Sequence, residues 1–110
     1  MGERGNIAVE QDGTTIYFYT HWRGHAVQHI LASALEKGMA RWDDPPYLAR
    51  IIFGELTKVA QDETTGFGIS PNICDNSYEI PVVRTGSRCV EYCGGTYSYQ
   101  LFVQKYKKVE

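Results

Sequence analysis

The chemistry-bearing residues of this chain gather between Tyr17 and His25, where Tyr17-Phe18-Tyr19-Thr20 runs into His21-Trp22-Arg23-Gly24-His25. The aromatic run reads as a strand and Gly24 marks a change of period, so the segment is expected to be a strand-to-helix junction. Such a junction presents free backbone N–H groups and the positive end of a helix dipole, which favour an anion. Arg23 would supply charge, His21 and His25 hydrogen bonds, and Trp22 a stacking face. A phosphorylated small molecule such as a nucleotide fits that combination. The competing reading has Trp22 plugging the end of the core while Arg23 pairs with Asp43 or Asp44.

Other groups add less. His21, His25 and His29 are spaced by four and would line one helical face, a geometry that can hold a transition metal. Gly24 at the helix start leaves only His25 and His29 on that face, and no glutamate stands between them as a zincin motif requires. No metal and no cofactor are therefore expected. Thr64-Thr65-Gly66-Phe67-Gly68 offers hydroxyls and flexible backbone but matches neither a P-loop nor a dinucleotide fingerprint. Asp75 and Asn76 sit on a loop that could face the junction, although such a pair also suits a turn. The candidate ligand-binding set is His21, Trp22, Arg23, His25, Thr65, Asp75 and Asn76. Cys74 or Ser70 could be combined with His21 and Asp75 as a small hydrolase, but no nucleophile motif supports the choice. Binding ranks above catalysis, and no catalytic residue is assigned.

The elements that would position these residues can be read in order. Residues 6–11 and 14–19 are strand-like and flank Asp12-Gly13, a signal for a two-residue hairpin. Ala26, Val27, Ile30, Leu31, Ala34 and Leu35 recur at helical steps from His25 to Gly38. Asp43-Asp44-Pro45-Pro46 reads as a capping carboxylate followed by first-turn prolines. The second helix then carries Tyr47, Leu48, Ile51, Ile52, Leu56, Val59 and Ala60 on its apolar side and stops before Asp62. Residues 66–70 read as a short strand, and residues 78–83 as a strand whose Pro81 suggests a sheet edge. Thr85-Gly86-Ser87 turns that strand into 88–92, which Gly94-Gly95 ends. Ser98 caps a C-terminal helix with Tyr99, Phe102, Val103 and Tyr106 on one face, the runner-up being a strand. Lys105, Lys107 and Lys108 form a basic tail suited to a helix C-terminus. The expected fold is a single α+β domain spanning residues 1–110, in the order ββααβββα, with an antiparallel or mixed sheet packed against two central helices.

Composition limits the function classes. The 110 residues carry a formal net charge of −2, which gives no global attraction to nucleic acid, so that partner is not expected. No apolar run approaches the roughly 20 residues of a membrane span, and the N-terminus lacks the layout of a signal peptide. A cytoplasmic protein with no membrane partner is the simplest expectation. Size permits dimerisation without requiring it, so a homo-oligomer stays open. Cys74, Cys89 and Cys93 make an odd count, which argues against a closed disulfide framework, and Cys89 and Cys93 lack the two-residue spacer of a zinc knuckle. A second function class, a protein–protein inhibitor or assembly factor acting on a host protein, would use Tyr78, Tyr92, Tyr97 and Tyr99 as an aromatic surface near an edge hairpin.

Residues 17–24 (YFYTHWRG), 41–53 (RWDDPPYLARIIF), 65–70 (TGFGIS) and Asp75-Asn76 together resemble an uncharacterised family of small phage, prophage and bacterial proteins. The resemblance covers roughly residues 5 to 83. It implies a mobile-element origin and, by analogy, an anti-defence or host-takeover role, and it carries over no catalytic residue. Arg23 stands where that pattern often has a second glycine, and residues 89–95 are peculiar to this chain.

Overall fold

Asp12 and Gly13 adopt φ of 53° and 82°, the left-handed pair that a tight turn between two twisted strands requires. They join β1 (Gly5–Gln11) to β2 (Thr14–Thr20), with Gly5 opposite Thr20 and Gln11 opposite Thr14. The computed structural model describes residues 2–60 and 62–107. Met1, Gln61 and residues 108–110, among them Lys108 of the expected basic tail, lie outside the described residues.

A 3-10 turn at Gly24–Ala26 leads into α1 (Val27–Lys37), and a second at Met39–Arg41 precedes α2 (Pro45–Thr57). Then follow β3 (Phe67–Ser70), β4 (Val82–Arg84), β5 (Cys89–Tyr92), β6 (Gly95–Ser98) and α3 (Tyr99–Tyr106). The six strands form one sheet in the order β3-β2-β1-β4-β5-β6, antiparallel except where β1 meets β4. The α+β expectation is borne out.

Strand alternation turns Ile7, Val9, Phe18, Val83 and Val90 toward one side, where they join Leu31, Leu35, Leu48, Ile52, Leu56 and Phe102 in a single core. Each fully buried Leu contributes about 1.5–3 kcal/mol relative to an exposed one. α1 lies between α2 and α3 and also touches β1.

Four local expectations are corrected. Gly94 does more than end β5: Cys93 and Gly94 take φ of 51° and 80° and turn the chain into β6, giving the order ββααββββα. β4 is interior, between β1 and β5. Pro81 precedes it and accepts from the Ala8 N–H through its carbonyl at 3.0 Å, so the missing proline N–H disturbs no ladder. Asp44 occupies the N-cap of α2 without a side-chain cap bond, and Asp43 pairs with Arg88 instead. Val59 and Ala60 fall beyond α2, with Val59 66% exposed.

The last helix forms as its sequence dictates. The Ser98 hydroxyl accepts from the Leu101 N–H at 3.1 Å, and Tyr99, Phe102 and Val103 are buried. Tyr92 and Tyr97 pack edge-on against Phe102 and Tyr106. Burial pushes the Tyr99 phenol up to about 12, with nearby Cys89 adding to the rise. Of the four tyrosines expected to form an exposed patch, three are therefore packed inward and Tyr78 alone is exposed.

Candidate functional site

Four backbone donors of the junction after β2 are already used. His21 N donates to Gly66 O at 2.8 Å, Gly24 N to Glu3 O at 2.7 Å and Ala26 N to Arg23 O at 2.9 Å. Arg23 N donates to the hydroxyl of fully buried Thr20 at 3.2 Å. The N-terminal segment comes this close because Gly5 and Gly24 both lack a Cβ: one added at Gly5 would lie 2.6 Å from Gly24 Cα. These amides face protein acceptors, so an anion there would have to displace them.

The side chains of the junction diverge. Arg23 reaches α2 and donates from Nη1 to Leu56 O at 3.1 Å, where a cation meets the negative end of that helix. Asp43 and Asp44 are not its partners, which corrects that expectation. Trp22 turns away and is 50% exposed, so it does not plug the core. Its indole rests on Gly66, whose φ of 95° and missing Cβ make room for the ring, and it meets His21 edge-on at 5.1 Å between centroids.

The three histidines serve three partners. His21 Nδ1 shares a hydrogen bond with the Tyr19 hydroxyl at 2.9 Å, His25 Nδ1 contacts the Glu3 carboxylate at 2.5 Å, and His29 Nδ1 donates to Tyr106 O at 2.6 Å. Among the described residues no three His, Cys, Asp or Glu side chains are grouped to hold one ion. Asp75 and Asn76 are brought to the same end of the sheet by Asn6. That side chain is fully buried and donates from Nδ2 to Asp75 O at 3.3 Å and Asn76 Oδ1 at 3.1 Å. Arg4 lies 3.9 Å from the Asp75 carboxylate. Burial raises the Tyr19 phenol above its ordinary range, opposed by the Arg4 guanidinium and helped by Asp75 and Cys74.

His21, Trp22, His25, Asp75 and Asn76 therefore share a polar sheet end with Glu3, Arg4, Asn6 and Tyr19, which the sequence reading did not single out. Thr65 is exposed and lines a separate cleft with Phe53, Thr57 and Phe67. Ser70 and Cys74 make their side-chain bonds with Asn72, not with His21.

Arg23 leaves that neighbourhood and enters a cleft of about 270 Å³ between α1 and α2, with His29, Ser33, Glu55 and Lys58 in its walls. A second cleft of about 230 Å³ is lined by Lys37, Arg50, Gly54 and the same Glu55 and Lys58. Glu55 is only 6% exposed, and its two oxygens each accept from an ammonium at 2.6 Å, Oε1 from Lys37 and Oε2 from Lys58. Burial would raise this carboxyl, but the hydrogen bonds from Lys37 and Lys58 outweigh that and hold it below its ordinary value. The carboxylate thus stays charged at neutral pH and fixes two lysine heads that remain more than half exposed. Arg50 makes no ion pair with a described residue. Four cations surround one carboxylate on a chain whose net charge is −2.

A larger cleft of about 370 Å³ lies between the first hairpin and Ala49, lined by Val9, Ile16, Phe18 and the polar Gln11, Asp12 and Thr14. Among the described residues no cation lines it, and it suits an apolar group rather than a phosphate. Sequence reading missed Lys37, Arg50, Glu55 and Lys58. The available signal was Glu55 itself, which falls three residues after Ile52 and seven after Leu48, on the buried stripe of α2. A carboxylate in such a place requires cationic or hydrogen-bonding partners. No family model, no curated protein and no solved structure matches this chain.

Proposed function

We propose that this chain is a small binding protein, of the phage accessory kind its sequence pattern resembles, that holds a phosphorylated small molecule such as a nucleotide in the α1–α2 cleft. The observation that carries this reading is the Arg23 guanidinium in a cleft that also contains Lys58 and Ser33. One Nη1 hydrogen bond to Leu56 O aims the guanidinium, and its other N–H groups can bind phosphate oxygens in its fork geometry.

Native and denaturing mass spectra of protein purified from its expression cell test the reading, the expected result being a released phosphorylated compound. Arg23→Ala should weaken nucleotide affinity at least about tenfold, the scale of one charge-assisted contact. Because Arg23 also tethers α2, Ser33→Ala and Lys58→Gln are measured beside it. Unchanged nucleotide affinity in all three folded variants contradicts the proposal.

A further inference from the structure

The two cationic clefts adjoin, with Glu55 and Lys58 lining both, and that adjacency bears on the kind of ligand. Arg23 and Lys58 serve the first cleft, while Lys37, Arg50 and Lys58 serve the second. A single phosphoryl group in the first would leave Arg50 without a counter-charge among the described residues, and Lys37 sharing the single charge of Glu55 with Lys58. A second phosphoryl group, joined to the first through one bridging oxygen, would reach them around Lys58.

Glu55 prepares this arrangement. An ammonium has three N–H donors, and Lys37 and Lys58 each give one to Glu55, leaving two apiece for a ligand. Held by a carboxylate that is almost wholly buried, both heads lose little further freedom when an anion arrives, which reduces the ordering cost of binding. Glu55 itself would be a positioning residue whose charge is compensated by the two lysines. Arg50, with no ion pair among the described residues, is the cation most free to meet the added charge.

We infer that the ligand carries at least two linked phosphoryl groups, one held by Arg23 and Lys58 and the next by Lys37 and Arg50 across Glu55. This rests on the phosphorylated-ligand reading above and adds its class: a diphosphate or longer, not a monophosphate. Calorimetric titration with inorganic orthophosphate and pyrophosphate at one fixed ionic strength tests it, because screening alters both affinities. Pyrophosphate is expected to bind at least about tenfold more tightly than orthophosphate, and Arg50→Gln and Lys37→Gln should each narrow that ratio. Equal affinity for the two probes overturns this inference while leaving a one-phosphate site. Binding of neither probe, nor of a nucleotide, overturns both readings. A ratio that persists in folded Arg50→Gln and Lys37→Gln protein overturns the two-cleft assignment.

Discussion

Glu55 stands where the spacing of α2 calls for an apolar residue, and two lysines keep it ionised there. Its folded-state pKa lies below the ordinary 4.5, so the unfolded chain binds a proton more readily than the folded one. The stabilisation is therefore fully present above the unfolded value and is lost as pH falls through the folded value. In Glu55→Gln, urea unfolding at pH 7 is expected to show lower stability, and the decline between about pH 5 and 3 should be shallower than in the parent. Parallel pH dependence in the two proteins would remove the ion pair from this account. Arg23 was legible as an anion-binding residue from its type and place. Its direction was not, because the carbonyl end of α2 that draws it is 33 residues further along the chain.

At the level of elements, local rules worked where the partners were local. The Asp12-Gly13 turn, the period of α1 and the Ser98 cap of α3 each rest on bonds within a few residues. Ser98→Ala is expected to cost about 1 kcal/mol in chemical denaturation, the usual worth of such a cap, and a change within error would deny the cap any role. Expectations failed where distant chain intervened. Asp43 takes Arg88 as its partner rather than capping α2, and β4 becomes interior because β1 and β5 close on it from either side. The strand β6 went unread because Gly94-Gly95 signals a break. The left-handed φ of Cys93, which converts that break into a hairpin turn, carries no residue-type signal. The polar sheet end was half legible for the same reason: His21, Trp22 and His25 are neighbours in sequence, while Asn6 recruits Asp75 and Asn76 from about 70 residues away.

Across the whole molecule, a chain of net charge −2 concentrates Arg23, Lys37, Arg50 and Lys58 around one buried carboxylate between two helices. Overall charge therefore says little about local preference, since a field of this kind acts over about one Debye length, roughly 8–10 Å in ordinary buffers. No helix among the described residues is long and apolar enough to cross a membrane. Tyr92, Tyr97 and Tyr99 pack around the core beside α3 while Tyr78 is exposed, and cations and cleft coincide on the α1–α2 face. The most direct test of that claim is an amide ¹H–¹⁵N correlation spectrum recorded during titration with ADP. Saturable shifts should centre on Arg23, Ser33, Lys37, Glu55 and Lys58. A spectrum unmoved by millimolar ADP, or shifts confined to the cleft around Val9, Ile16 and Ala49, would contradict the account.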